Sequence, residues 1–146
     1  MLVLPFHVGD NRYVLAARSV VEVVPQVRLS SLPRAPHYVA GVFDFRGVII
    51  PVIDACQLLL ARPCRSCLST RIIVVGQPDV SGRERLLGLR VEQVTEAVDM
   101  AAEGARDPAL SSPDTPYLGA LTRDTQGILQ FFDTQGLLLL AGTSAP

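Results

Sequence analysis

Residues 38–60 read YVAGVFDFRGVIIPVIDACQLLL, and residues 117–139 read YLGALTRDTQGILQFFDTQGLLL. Laid over each other without a gap, Tyr38 meets Tyr117, Asp54 meets Asp133, and Leu58, Leu59 and Leu60 meet Leu137, Leu138 and Leu139. Between these anchors Val42/Leu121, Ile50/Leu129, Val52/Phe131 and Ile53/Phe132 keep apolar on apolar. Upstream, at a slightly different offset, Leu15, Val20, Glu22 and Val24 fall on Leu89, Val94, Glu96 and Val98. A repeat of only two copies, outside the periods of solenoids, predicts a pair of related small barrels. Copies that keep core positions while their surfaces diverge can divide two partners between them.

Strand signals dominate the rest of the chain. Residues 2–8 and 12–16 flank Gly9-Asp10-Asn11, a hairpin loop containing glycine. Residues 18–24, RSVVEVV, carry apolar residues at helix-like spacing and predict a short helix closed by Pro25. After an irregular loop at 28–37, residues 39–45 and 48–53 form a hairpin around Arg46-Gly47, with glycine where positive φ is wanted. The run 48–53 is apolar on both faces, so it must be covered from both sides. Pro51 removes a ladder donor and predicts an edge strand or a bulge. Asp54 then reads as an N-cap, with Gln57 completing a capping box on a helix through Leu60; Asp133 keeps the cap and loses the Gln. Strands at 71–75 and 86–91, a short element at 94–98, a polar loop at 102–116, a hairpin of 117–122 with 127–132 and a frayed end at 143–146 complete the reading. The expected class is all-β with short helices, in one domain over 1–146 whose pseudo-repeated barrels occupy about 10–60 and 71–140.

Composition narrows the chemistry. At 146 residues and 49% apolar the chain can bury a sizeable core, yet no apolar run reaches the roughly 18 residues needed to span a bilayer. The first eight residues lack a basic n-region and contain Pro5, so a cytoplasmic location without direct membrane insertion is expected. A net charge of −1 and a pI near 6.1 argue against nucleic acid as a partner. All thirteen basic residues are arginine, which excludes Schiff-base, P-loop and kinase lysines. His7 and His37 sit near no triad-like arrangement. No catalytic residue, cofactor or metal site is predicted. Cys64 and Cys67 form a Cys-x-x-Cys without further ligands and read as incidental loop cysteines, while Cys56 reads as a small core residue.

The segment from Tyr38 through Gly41-Val42-Phe43-Asp44-Phe45-Arg46-Gly47 to Val48-Ile49-Ile50-Pro51-Val52-Ile53-Asp54 resembles the signature of CheW-like domains, in which a hairpin ending in Arg-Gly leads into a V-I-P-V-x-D strand and helix. Val20-Val21-Glu22-Val23, residues 89–98 and the hairpin after Tyr117 fit the same family, so the resemblance covers nearly the whole chain. It implies two SH3-like five-stranded β-barrels packed on a common core. It further implies a non-enzymatic scaffold that couples the cytoplasmic signalling tip of a chemoreceptor to the regulatory domain of a CheA-type histidine kinase, recruited to membrane receptor arrays. Carried over residue by residue, the receptor-facing positions are Val20, Glu22, Gly41 and Arg46; no kinase-contacting residue is assigned.

Physical reading of the same residues leaves a second account open. Arg46 and Glu22 can equally be two solvated charges on a barrel rim, and Gly41 can mark a bulge. Asp44 stands where the family usually has Asn, and Ala55-Cys56-Gln57 replaces the usual basic residues. Residues 39–47 look closer to coupling proteins of alternative chemosensory systems of the Wsp type. Two other functions stay in view: a thiol- or metal-responsive regulator using Cys64 and Cys67, and another SH3-like adaptor for peptides. The second is poorly served by a chain with no Trp, three Tyr and five Phe, since such grooves are lined by aromatics.

Overall fold

The computed structural model describes residues 1–79, 81–100 and 114–142. The anticipated polar loop at 102–116 falls largely outside them, and the frayed end at 143–146 wholly so. Among the described residues eleven strands form two curled sheets. The six-stranded sheet contains β1 (Leu2–Val8), β2 (Asn11–Ala16), β8 (Gln93–Val94), β9 (Val98–Asp99), β10 (Leu118–Asp124) and β11 (Gly127–Phe132), in the order β10-β11-β2-β1-β8 with β9 also on β1. The five-stranded sheet contains β3 (Val20–Pro25), β4 (Val39–Phe45), β5 (Val48–Asp54), β6 (Arg71–Pro78) and β7 (Glu84–Val91), in the order β3-β6-β7-β5-β4. Helix α1 (Ala55–Leu60) follows β5 and helix α2 (Thr134–Gly142) follows β11. The architecture is mostly β, with two SH3-like barrels.

The repeat is visible in detail. Both hairpins, β4–β5 and β10–β11, carry an irregularity at the equivalent place, after Val39 in one and after Leu118 in the other. Each hairpin then adds a parallel strand: Val52 sits beside Gly88 of β7, and Phe131 beside Val14 of β2. The two sheets each take strands from both of the segments 10–60 and 71–140. Both parallel seams join strands from different halves of the repeat, so each sheet draws on both halves of the chain.

Two sequence expectations are corrected. Residues 20–25 are strand, not helix: β3 pairs antiparallel with β6, after a 3-10 turn at Ala17–Ser19. A bulge between Val20 and Glu22 breaks the alternation and produces the helix-like spacing, while four valines among five residues favour extended backbone. Pro51 lies inside the sheet, between β4 and β7. Its partner Val42 spends both its N–H and its C=O on Ser30, at 2.8 and 2.9 Å, and β7 begins pairing only at Val52. No neighbour therefore asks Pro51 for a donor.

The two faces of β5 do bury in different places. Ile50 and Val52 join Phe45, Ile72 and Val74 in one cluster. Ile53 joins the common core, where Phe6 and Leu15 of the first sheet meet Ile73, Leu87 and Leu89 of the second, with Phe132 and Leu137 beside them.

Candidate functional site

The hairpin tip between β4 and β5 is built from its turn outward. Arg46 and Gly47 both have positive φ, 53° and 86°, the requirement of a type I′ turn. Asp44 fixes it by accepting the Gly47 N–H at 2.7 Å. An arginine at positive φ is a mild strain that glycine or asparagine would relieve. Its guanidinium lies 4.9 Å from the centre of the Phe45 ring and is ion-paired with Glu22. Glu22 belongs to β3, at the far end of the sheet's path from β4, so the pair joins strands brought round by the curl of the sheet. The Arg46 side chain stays 67% exposed despite both contacts. Directly after the turn, Val48 and Ile49 are also exposed, Ile49 at 71%.

Of the four positions carried over from the resemblance, Glu22 and Arg46 are in direct contact. Val20 is half-buried and packs against the common core. Gly41 is buried with φ 151°, and a Cβ there would come within 2.5 Å of the Ser30 carbonyl. Its bare face is filled by the chain's own backbone.

A second group of polar residues lies inside, around the start of α1. Asp54 is buried and accepts from the N–H groups of Cys56 and Gln57 at 2.9 and 3.0 Å, as an N-cap should. It also takes Cys64 N–H at 3.1 Å and two bonds from Arg90, at 3.1 and 2.7 Å. The other half of the capping box is replaced: the Asp54 N–H bonds the Tyr38 carbonyl. At Asp133 the N–H bonds Tyr117 in the same way, and the carboxylate accepts from Gln135 and Gly136 at 2.9 and 3.4 Å.

Cys56 and Cys64 form a disulfide with their Cα atoms 5.0 Å apart, which corrects the reading of Cys64 as an incidental loop residue paired by motif with Cys67. Cys64 is buried and Cys67 is free and exposed. Asp54, Cys56 and Cys64 lie close enough to share a metal ion. Both sulfurs are committed to each other, and the Asp54 oxygens already hold amides and a guanidinium, so the set fits a metal poorly.

Glu92 holds the α1–β6 loop from below. It accepts from Arg62 at 3.0 Å, Gly9 N–H at 2.9 Å and Arg65 N–H at 3.0 Å, and Arg62 above all lowers its carboxyl to about 2. Neither Arg90 nor Glu92 stood out in the sequence, because both partners are brought in by strand register and not by spacing. For Arg90 the available signal was β7 itself, whose alternation puts a charge opposite an acidic cap.

The CheW-like domain pattern matches residues 2–141. The chain belongs to the CheW-like domain family. It is similar to the crystal structure of scaffolding protein TtCheW from Thermoanaerobacter tengcongensis, with a TM-score of 0.74 and 25% identity over 90% of this chain and 88% of that one. Among named relatives, chemotaxis protein CheW of Helicobacter pylori is 28% identical over 64% of this chain and 53% of that protein. Protein FrzA of Myxococcus xanthus is 36% identical over 58% and 55% of the two chains, and chemotaxis protein CheW of Klebsiella aerogenes is 26% identical over 92% and 80%. The match thus spans about half the length of the first two of these relatives. Among the described residues no helix is long and apolar enough to cross a membrane.

Proposed function

We propose that this CheW-like scaffold is a non-enzymatic coupler that holds the cytoplasmic signalling tip of a chemoreceptor against the regulatory domain of a CheA-type histidine kinase, at membrane receptor arrays on the cytoplasmic side. The observation that carries this reading is the presentation of Arg46 in a matched fold. It is kept in an unfavourable backbone region, oriented by Phe45 and Glu22, and still exposed. A solvated rim charge has no need of such placement. A guanidinium held this way is suited to carbonyl or carboxylate groups on a receptor helix, with Ile49 and Val48 supplying apolar contact beside it. Val20 and Gly41 then act as supports: one seats β3 on the core, the other lets residue 30 close against β4. The Asp44 variation keeps the placement in an alternative, Wsp-type pathway as a proposal resting on residues 39–47.

The test is parallel titration of Arg46→Glu against a receptor tip and a kinase regulatory domain. Receptor affinity should fall by about 2–5 kcal/mol, the usual cost of reversing a desolvated interfacial charge, while kinase binding and stability hold. Unchanged receptor binding would return Arg46 to the rim, and equal loss of both partners would signal misfolding.

A further inference from the structure

Three cysteines gather at helix α1 and the loop that follows it, and their exposures differ sharply. Cys56 is fully buried, Cys64 is 9% exposed, and Cys67 is open to solvent. We propose that Cys67 is the entry point for thiol–disulfide exchange that makes and breaks the Cys56–Cys64 bond, with a low-molecular-weight disulfide or its thiol as the reagent.

The forward course balances as follows. Cys67 thiolate attacks the small disulfide RSSR, forming a mixed disulfide and releasing RS⁻. Cys64 thiolate then attacks the Cys67 sulfur, forming a Cys64–Cys67 bond and expelling the second RS⁻. Cys56 thiolate attacks the Cys64 sulfur, and Cys67 leaves as the thiolate it began as. The protons of the Cys56 and Cys64 thiols end on two RSH, so one RSSR is reduced for each protein disulfide formed. With the bond open, the Arg90 carbonyl, 3.3 Å from the Cys64 sulfur, is placed to accept its S–H.

The surroundings of Cys67 suit the first step. A depression of about 520 Å³ opens beside it, bordered by Gln26, Leu68 and Arg71. The Ser69 hydroxyl, 3.1 Å from the sulfur, does most to hold the thiol at about 7, while Thr70 Oγ1, 3.4 Å away, gives its own proton to the Arg65 carbonyl. Ser69 also bonds the Glu92 carbonyl at 2.8 Å, so its single proton turns toward the sulfur as the thiolate forms. At neutral pH such a thiol is about half ionised. Against the lower nucleophilicity of a less basic sulfur, the net gain is only about six-fold over an ordinary cysteine. Accessibility therefore supplies most of the selectivity. The second step asks little of the chain, because three residues span at most about 10 Å and a disulfide needs roughly 4.4–6.8 Å between Cα atoms. The loop is also bonded to Gln26, the residue after β3, which donates to the Ser66 hydroxyl at 2.9 Å.

The experiment uses the full chain, reduced and freed of reductant, then treated with oxidised glutathione at pH 7, alkylated at intervals and peptide-mapped without reduction. Wild type should show a glutathione adduct first at Cys67, followed by Cys56–Cys64. Cys67→Ser should close that disulfide at least about ten-fold more slowly, and Cys56→Ser should stop at Cys64–Cys67. Ser69→Ala keeps all three sulfurs and should slow adduct formation several-fold. A first adduct at Cys64, closure slowed by neither variant, or a wild type that never forms Cys56–Cys64 would overturn the proposal.

Discussion

At Asp54 and Asp133 the two halves place the same residue at the same turn, yet they treat its charge in opposite ways. Each N–H bonds a tyrosine carbonyl and each carboxylate caps a helix. Asp54 is buried and held by Arg90; Asp133 is exposed. The position equivalent to Arg90 by the upstream offset is Ala16, which brings no cation. Repetition preserved the backbone role of the aspartate, and a single strand position decided whether it also became part of the interior. The first half has thereby acquired a polar centre, with the disulfide and the Glu92 clasp around it, that the second half lacks among the described residues.

The strongest way to break this contrast is Arg90→Ala. It leaves the Asp54 carboxylate buried beside an empty place, and chemical denaturation should show a loss of about 3–5 kcal/mol. Among the described residues Asp133 has no such partner to lose.

Next in size is Gly136→Ala, in the second half alone. Gln57 occupies the equivalent site in α1, but at Gly136 a Cβ would stand 1.9 Å from the Pro116 carbonyl oxygen. Backbone would have to move, at a cost of roughly 3 kcal/mol by thermal or chemical unfolding. The same substitution logic makes Gln57→Ala nearly silent.

The Glu92 clasp sharpens the comparison by pH. Its folded carboxyl titrates near 2 against an ordinary 4.5, so the clasp stabilises fully above 4.5 and is lost as pH falls toward 2. The stability gap between wild type and Glu92→Gln should be constant at neutral pH and close across that window. A gap that persists at pH 2 would show that the clasp acts by packing.

The smallest effect belongs to Asp133→Ala, which removes only an exposed cap and should cost about 1 kcal/mol. Asp54→Ala should exceed it clearly, since it also strands Arg90 and frees Cys64 N–H. Equal losses at the two aspartates would erase the distinction between the halves.

The repeat, the hairpins, both caps and the two-sided burial of β5 were legible because each rests on local chemistry: a turn glycine, an acidic cap, an apolar period. Val20–Pro25 was misread because a one-residue bulge imitates helical spacing. The Arg46–Glu22 contact could be anticipated from the resemblance and from charge. The Cys56–Cys64 bond could not, since it depends on how the loop after α1 folds back. Nor could the Asp54–Arg90 pair, since it depends on which strand lies beside β5. That neighbour comes from the other half of the chain.

This exchange of strands has a consequence for how the molecule assembles. In an ordinary tandem duplication each unit can fold as it is completed. Here β2 waits for β11, which comes from the opposite end of the chain, and β5 waits for β7. Contacts so distant in sequence are slow to find and late to close. Neither half has a finished sheet to fall back on, so the protein should melt as one cooperative unit, and a cut between the repeats would divide both barrels at once.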